Sequence, residues 1–285
     1  MNLIIGSYDY EQYKEVTQKG GILYFLKSIR MVNKDCVIVI VCSLKNANIS
    51  LQNICDKYNA ILFKYDRGDK PQMYYRFIAY NNYLNSNPNI KNILLTDVND
   101  VIFLDDPFSI KFNDCIYTQA ERHSFLGNSN RHSQLNLKWI TDVYNKENKE
   151  LKNEYFHKKT VVCAGHILGD RTNIMKYLNW YLELQGKHNY SLNDQAMFNI
   201  YIHTVCDKYV IDPWCMNRLF PDDTISFEIL TKQWMKLSYD SNGFLLNKNG
   251  EKIVSVHMYG AFGSGKQSCD VTYLKKLIDD NYKEC

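Results

Sequence analysis

The sequence predicts an α/β fold built around a mostly parallel central sheet. Short apolar runs alternate with segments of helical spacing through the first third of the chain, which is the pattern of strands that are each followed by a helix. The run "CVIVIVC", from Cys36 to Cys42, is continuous rather than alternating, as expected for a parallel strand covered on both faces. Together these observations predict that helices flank the sheet.

The elements of the first half follow in order. A strand is predicted at "NLIIGSYDY", a helix at "GILYFLKSIRMV", and, after the run that ends at Cys42, a helix at "ISLQNICDKYN" with Ser50 as its N-cap. The strand "AILFKYD" precedes a long helix that begins with Pro71, which a first turn tolerates. This helix leads into the strand "NILLTD", which ends at Asp97. Such a succession makes a Rossmann-like half, where ligands collect beyond the carboxyl ends of the strands.

The second half is less regular. Strands are predicted at "CIYTQAE", "TVVCAGHILGD" and "KIVSVHMYG", and helices at "RTNIMKYLNWYLELQG" and "LNDQAMFNIYIHTV". No linker, low-complexity run or internal repeat divides the chain. We therefore predict one domain over residues 1–285, with a nucleotide-binding half at 1–110 and a more variable half at 111–285.

Composition narrows the function. The chain has 285 residues, with 34 Lys and Arg against 31 Asp and Glu, so its net charge of +3 does not suggest a nucleic-acid-coating surface or a polybasic membrane anchor. No window reaches the ~20 apolar residues of a membrane span, and the first residues lack a signal-peptide pattern. Nine scattered cysteines without a CxxC pair suit reduced thiols. We expect a cytoplasmic protein.

Four aspartates lie close together in "ILLTDVNDVIFLDDPF". Asp97 and Asp100 are three residues apart and would point to opposite faces of a straight strand, so they share one ion only if the chain bends at Val98 and Asn99. Carboxylate oxygens at a strand end suit Mg²⁺ or Mn²⁺ bridged to phosphate. The alternative is that Asp97 simply ends the strand. The second pair, in Asp105 to Pro107, is predicted to be a surface turn.

The segment "LLTDVNDVIFLDDPF" resembles the metal-binding segment of GT-A fold glycosyltransferases, in particular a group with the pattern TDVRDVVF followed by DPF. The resemblance implies a nucleotide-sugar-binding half at 1–110 and an acceptor-binding half at 111–285. It also implies a Mn²⁺ or Mg²⁺ cofactor with Asp100 as a direct ligand, while Asp97 faces the ribose or the metal. The common DxD form has one residue between its aspartates, whereas this sequence has two, which leaves the division of roles open.

A second candidate segment is "VSVHMYGAFGSGKQS". Its stretch 260–266 fits GxxxxGK, but Gln267 replaces the Ser or Thr of a P-loop, and too few residues follow for the sheet that such a protein builds. The GT-A resemblance implies instead that His257 completes the metal site and that Gly263 and Lys266 contact the diphosphate. The alternative for His257 is a hydrogen-bonded histidine at a strand end.

Four further residues are donor-site candidates by the same resemblance. Arg76, in the helix before the aspartate segment, would reach the donor phosphates or a neighbouring carboxylate, although a solvated helix-face arginine is the alternative. Gly6, Ser7 and Tyr8, at the end of the first strand, would hold the base and ribose through backbone groups and an aromatic ring. A strand ending in Gly-Ser is also simply a turn.

The resemblance further places Gly165, His166, Asp194 and Gln195 at the sugar pocket. If the enzyme inverts the anomeric carbon, Asp194 is the best candidate for the carboxylate base that accepts the acceptor proton. If it retains the configuration, Asp194 only orients the sugar. Asp194 also has an ordinary explanation, because a carboxylate in a first helical turn complements the helix dipole.

We therefore predict a metal-dependent glycosyltransferase that moves a hexose from a nucleotide diphosphate sugar, most plausibly a UDP-sugar, to a hydroxyl of a carbohydrate, glycan or protein-linked acceptor. One alternative is a sugar-phosphate nucleotidyltransferase, but "GSYDYEQY" lacks the glycine-rich loop and basic residue that follow its first strand. Another is a non-catalytic nucleotide-sugar-binding protein. Recognition of the acceptor is expected in residues 118–160.

Overall fold

The computed structural model describes residues 1–8, 21–68, 70–109, 114–126, 131–151, 153–211, 215–217, 238–241, 245–246, 252–257 and 269–282. The strands are β1 (Asn2–Ser7), β2 (Val37–Ser43), β3 (Ile61–Tyr65), β4 (Asn92–Asp97), β5 (Val101–Phe103), β6 (Ile116–Thr118), β7 (Ala120–Phe125), β8 (Thr160–Val162), β9 (His166–Asp170), β10 (Tyr209–Ile211), β11 (Cys215–Asn217), β12 (Ser238–Tyr239), β13 (Leu245–Leu246) and β14 (Ser255–His257). The α-helices are α1 (Gly21–Val32), α2 (Ile49–Lys57), α3 (Gln72–Ser86), α4 (Arg131–Lys146), α5 (Asn153–Phe156), α6 (Arg171–Lys187), α7 (Asp194–Ile200) and α8 (Cys269–Asn281). A π-helical turn, Tyr201–Val205, continues α7.

The central sheet has seven strands in the order β10-β6-β9-β4-β1-β2-β3. Strand β9 pairs antiparallel with β4 and β6, whereas the remaining neighbours in this sheet pair parallel, so six strands run in one direction. The predicted α/β class with a mostly parallel sheet is confirmed. Strands β6, β9 and β10 come from the predicted second half, so both halves contribute to the same sheet.

The two faces of the sheet are covered by different helices. Along β1, Leu3 and Ile5 pack into a core with α3, α6 and α7, whereas Ile4 packs into a second core with α1 and α2. This division follows from the pleat, which points successive side chains to opposite faces. Strand β2 is buried from Ile38 onward, as its continuous apolar sequence predicts.

A smaller sheet with the order β11-β14-β5 lies beside the carboxyl end of β4. Strand β5 begins four residues after β4 ends, because the chain bends at Val98, Asn99 and Asp100 between them. Strand β14 pairs antiparallel with β5, so a segment from the end of the chain is brought to the aspartate segment.

Local predictions were wrong at two places. The N-cap of α2 is Asn48, not Ser50: the Asn48 side chain accepts a hydrogen bond from the Leu51 N–H, and its backbone is extended (φ −134°, ψ 169°). Ser50 lies inside the helix and has no capping role. The segment predicted as one strand at "TVVCAGHILGD" is two strands, β8 and β9, separated by a turn at Ala164 and Gly165.

Helices α4, α5 and α8 were not predicted. In α4 the buried residues Ile140 and Val143 are three apart and lie on one face, but the polar residues around them obscure the pattern. Among the helices in the described ranges, none combines the length and the apolar character needed to cross a bilayer.

Candidate functional site

The candidate site is built around the carboxyl end of β4. Asp97 is the last residue of this strand, and the strand register places Ser7 of β1 opposite it. On the other side, the Asp97 N–H donates to the Gly165 carbonyl oxygen at 2.8 Å, in the turn that precedes β9. Three segments that are distant in sequence therefore meet at Asp97, as expected at the carboxyl edge of a parallel sheet.

Arg76 of α3 joins two carboxylates at this edge. Its Nη1 donates to Asp97 Oδ1 at 2.5 Å, and its Nη2 donates to Asp194 Oδ2 at 2.9 Å. The side chains of Arg76 and Asp194 are only 13% and 14% exposed, whereas that of Asp97 is 34% exposed. Asp97 is thus the most accessible member of this Arg76 cluster, by which we mean Arg76, Asp97 and Asp194.

The charges of the Arg76 cluster influence one another strongly. Burial raises the pKa of Asp194 above its usual value; the Arg76 guanidinium opposes this shift, and the Asp97 carboxylate adds to it. The pKa of Arg76 is raised well above its usual value: burial disfavours its charged form, but Asp97 and then Asp194 favour it. The arginine therefore stays charged, while Asp194 holds its proton more tightly than an ordinary aspartate.

An aromatic shell encloses the inner side of the Arg76 cluster. The Arg76 guanidinium carbon lies 5.0 Å from the centre of the Phe77 ring. Tyr80 and Tyr177 are 1% and 0% exposed, and among the described residues neither hydroxyl, nor Arg76 Nε, has a hydrogen-bond partner. Sequence analysis missed both tyrosines, although Tyr80 follows Arg76 by four residues and so lies on the same helix face.

The start of α7 explains how Asp194 is positioned. The Asn193 side chain accepts a hydrogen bond from the Ala196 N–H at 2.9 Å and so caps the helix. Asp194 occupies the first turn, where a carboxylate complements the dipole, and its Oδ1 also accepts from the Gln195 N–H at 2.8 Å. The structural and the functional interpretation of Asp194 are therefore both compatible with its environment.

Gln195 contacts the turn before β9. Its Oε1 accepts from the Ala164 N–H at 2.8 Å, and its Nε2 donates to the Val162 carbonyl oxygen at 2.8 Å. Asn199, one helical turn later, bonds both the N–H and the carbonyl of Val162. The two side-chain amides make the backbone hydrogen bonds that a neighbouring strand would make. They hold in place the segment that leads to Gly165.

His166 links the central sheet to the smaller sheet. Its ring is fully buried, with Thr96 Oγ1 2.8 Å from Nδ1 and Ser255 Oγ 3.0 Å from Nε2. The Thr96 hydroxyl also donates to the Asp97 carbonyl oxygen at 3.0 Å, so His166 is joined through Thr96 to the end of β4. The structure thus places His166 below the surface of the predicted pocket, where its ring connects Thr96 of β4 to Ser255 of β14.

The backbone brings His257 to the aspartate segment. In the pairing of β14 with β5, His257 lies opposite Val101, the residue that follows Asp100. The bend that a shared ion requires is present at Val98 to Asp100, and Asp100 is 8% exposed. The His257 side chain lies outside the described part of the structure, as do Gly263 and Lys266 entirely.

Asp97, Asp100 and His257 are the residues that could hold a divalent cation. Among the described side chains, no group of three or more His, Cys, Asp or Glu residues is placed to hold a metal ion. Asp97 and Asp100 flank a bend, and the His257 backbone is adjacent. Two carboxylates and an imidazole leave coordination positions for phosphate oxygens, which is how Mg²⁺ and Mn²⁺ are usually bound to nucleotides.

The predicted nucleotide-binding residues Gly6, Ser7 and Tyr8 lie at the carboxyl end of β1, beside the aspartate segment. A Cβ on Gly6 would lie 2.4 Å from Val98 and 2.6 Å from the Thr96 carbonyl oxygen, so glycine lets the aspartate segment approach. Ser7 and Tyr8 are 5% and 7% exposed, and Tyr8 packs into the core with α1 and α2. The structure brings these residues to the site but covers the tyrosine ring.

The fold is a Rossmann-like α/β fold, and the Arg76 cluster lies at the carboxyl edge of its mostly parallel sheet. Over 99% of its length the chain is similar to WbbM, a bifunctional glycosyltransferase solved in its apo form, with a TM-score of 0.52 and 13% identity. The chain spans about half, 49%, of that structure, and at this identity the likeness shows the fold alone. No protein-family model and no curated protein sequence matches the chain.

Proposed function

We propose that the chain is a metal-dependent glycosyltransferase that transfers a hexose from a nucleotide diphosphate sugar, UDP-linked in the first instance, to an acceptor hydroxyl. The observation that carries the proposal is the Arg76 cluster at the carboxyl edge of β4, in a fold shared with a glycosyltransferase. An arginine held between two carboxylates presents both donors and acceptors, which is what the hydroxyl groups of a sugar require.

The residues of the cluster have different roles in this proposal. Asp97 is the most exposed of the three and faces the donor, while Arg76 fixes the orientation of both carboxylates. If the reaction inverts the anomeric carbon, Asp194 accepts the proton of the acceptor hydroxyl, and its raised pKa makes it a stronger base than an ordinary aspartate. If the configuration is retained, Asp194 orients the transferred sugar.

Asp100, His257 and Asp97 would hold Mn²⁺ or Mg²⁺. When bound, the cation supplies positive charge that stabilises the departing nucleotide diphosphate. Lys266 would add a second positive charge there, and Gly263 would leave room for the phosphates. The pairing of His257 opposite Val101 supports this ligand set, because it puts the backbone of the third ligand next to Asp100.

The proposal is tested by nucleotide release. Purified protein incubated with a panel of UDP- and GDP-sugars is expected to release nucleotide in Mn²⁺ and to stop in EDTA. Asp100→Ala and His257→Ala should abolish the release. Asp105→Ala is the matched control, since Asp105 belongs to the following turn, where its Oδ1 accepts from the Asp106 N–H.

Three outcomes would contradict parts of the proposal. Release that continues at full rate in EDTA would exclude the metal site. Sugar-nucleotide binding in a thermal-shift assay without any release would favour a non-catalytic binding protein. Formation of a sugar nucleotide from a sugar phosphate and a nucleoside triphosphate would identify a nucleotidyltransferase instead.

A further inference from the structure

We propose that Lys70, Tyr65, Tyr75 and Tyr190 form a binding site for a saccharide that carries a negatively charged group, phosphate or carboxylate. We call these residues the tyrosine platform. The proposal rests on the proposed function in one respect only: it assigns this saccharide the role of acceptor. The binding itself is independent of transfer.

The tyrosine platform is an aromatic frame around one ammonium group. Lys70 Nζ lies 4.5 Å from the centre of the Tyr190 ring and 5.2 Å from that of Tyr75. The Tyr75 ring stacks on Tyr65 at 5.7 Å and 20°, and meets Tyr190 edge to face at 6.1 Å. All four residues are partly exposed, and within the platform the Tyr65 hydroxyl is buried.

The tyrosine platform lies on the segments that carry the Arg76 cluster. Tyr65 is the last residue of β3, so it lies at the carboxyl edge of the sheet where Asp97 also lies. Tyr75 directly precedes Arg76 in α3, and Tyr190 precedes Asp194 by four residues. Tyr74, between the two sites, is close enough to Asp194 for that carboxylate to raise its pKa, after the larger effect of burial.

The backbone at Tyr190 is in an unfavourable conformation. Asn189 and Tyr190 both have positive φ, 51° and 56°, which non-glycine residues with bulky side chains rarely adopt. The turn is held by hydrogen bonds, among them that from the Tyr190 N–H to the Gln185 carbonyl oxygen at 2.8 Å. Glycine would fit this turn without strain, so the tyrosine ring at this position indicates a role for the side chain.

Lys70 supplies the positive charge that an anionic ligand would meet at the tyrosine platform. Among the described residues, its ammonium contacts the two rings and forms no ion pair with a carboxylate. Arg67 Nη1 donates to the Lys70 carbonyl oxygen at 3.0 Å and so holds the backbone of this loop. The Asp66 side chain bonds to its own loop, where its Oδ1 accepts a hydrogen bond from the Gly68 N–H at 3.0 Å. The ammonium therefore offers its positive charge to an anion. The tyrosine rings around it offer an apolar surface to a sugar ring.

Binding of simple saccharides tests the proposal without any donor. The probes are glucose, glucose 6-phosphate and glucuronic acid, measured by saturation-transfer difference NMR and calorimetry on the full chain. We expect the two charged probes to bind at least about ten-fold more tightly than glucose, because only they meet the Lys70 charge. The stronger of the two identifies phosphate or carboxylate as the natural group.

Variants separate the two parts of the site. Lys70→Met keeps the apolar stem and should remove the preference for charged probes, while Tyr190→Leu should weaken all three. Lys149→Met, at a lysine whose side chain is 66% exposed, is the control and should change nothing. Circular dichroism confirms that each variant is folded. No binding of the charged probes, or a preference that survives in Lys70→Met, would overturn the proposal.

The proposed function can fail separately. Arg76→Lys should impair nucleotide release and leave the binding of glucose 6-phosphate and glucuronic acid unchanged. Charged-probe binding in a protein that never releases nucleotide would leave the saccharide site standing and remove the role of acceptor. Nucleotide release without charged-probe binding would support the proposed function and remove the saccharide site.

Discussion

Two arginines on helices of opposite faces of the sheet make contrasting contacts. Arg30 of α1 is 9% exposed, and its guanidinium donates to backbone carbonyl oxygens at the ends of α1 and α2 and at the start of β2, those of Asn33, Lys34, Cys36, Tyr58 and Asn59. Arg76 of α3 donates to two carboxylates, and its Nε has no partner in the part of the chain that the structure describes.

The difference separates a structural arginine from a functional candidate. Backbone carbonyls are neutral and present in every loop, so a guanidinium that binds them joins elements without creating a charged site. A guanidinium between two carboxylates from β4 and α7 brings three charges to one edge of the sheet. Arg30 is therefore expected to control stability, and Arg76 to control activity.

The largest effect should come from Arg30→Met. The substitution keeps the apolar stem but removes the Arg30 donor from two buried carbonyls, those of Cys36 and Tyr58, and from three partly buried ones, so we expect a loss of about 3 kcal/mol in the free energy of unfolding. Urea denaturation measures it. The rate of nucleotide release by folded protein should be unchanged.

Arg171→Met is the matched control for Arg30. The Arg171 guanidinium donates to only two carbonyl oxygens, those of Leu84 at 2.7 Å and Asn87 at 3.1 Å. Its loss should cost about 1–2 kcal/mol by the same measurement. If Arg30→Met lowered nucleotide release while its unfolding curve stayed in place, the contrast between Arg30 and Arg76 would be wrong.

The next largest effect concerns activity. Arg76→Lys keeps a positive charge but cannot reach both carboxylates with a planar fork, so we expect nucleotide release to fall by about 100-fold through misplacement of Asp97 and Asp194. Initial rates with saturating sugar nucleotide measure this. Release within three-fold of the unsubstituted protein, in a variant whose thermal melt is normal, would contradict the functional assignment.

A third prediction concerns protonation within the Arg76 cluster. Asp97→Asn removes a negative charge that raises the pKa of Asp194, so that pKa should fall. Titration of ¹³C-labelled aspartate carboxyls by NMR measures the shift, with Asp194→Asn providing the assignment. An unchanged or higher pKa would show that Asp97 does not act on Asp194.

The same pKa affects stability with a defined sign. Because the pKa of Asp194 is raised on folding, the folded state binds its proton more tightly than the unfolded state does. Stability therefore decreases as pH rises from the unfolded to the folded pKa and is constant above it. In the Asp97→Asn variant this decrease in stability should be smaller, because the pKa of Asp194 is then raised less on folding.

How much the sequence could predict differs between these regions. Asp97 at the end of a strand, the bend after it and most of the elements of the central sheet follow from apolar patterns and turn residues, which are local properties. Other contacts depend on which segments meet in space. They are those of Arg30, those of His166 between β4 and β14, and the backbone hydrogen bonds of Gln195 and Asn199. The spacing of residues along the sequence does not predict such contacts.

The smallest predicted effect concerns the N-caps of α2 and α7, the first of which the sequence placed wrongly. Asn48 and Asn193 make the same capping bond, in which the side chain accepts at 2.9 Å from the backbone N–H three residues later. Either substitution by alanine should lower the free energy of unfolding by about 1 kcal/mol. Asn48 lies in the region joined by Arg30, whereas Asn193 precedes Asp194 and Gln195.

The two caps therefore form a matched test of the contrast between the two arginines. Asn48→Ala should leave nucleotide release unchanged at a temperature where both variants are folded, because α2 carries no site residue. Asn193→Ala should lower release several-fold, since the first turn of α7 positions the carboxylate bound by Arg76 and the amide that holds the turn before β9. Urea denaturation and initial rates measured on the same samples separate the two contributions. Equal effects on release would mean that the site is insensitive to the first turn of α7, and that Asp194 is held by Arg76 alone.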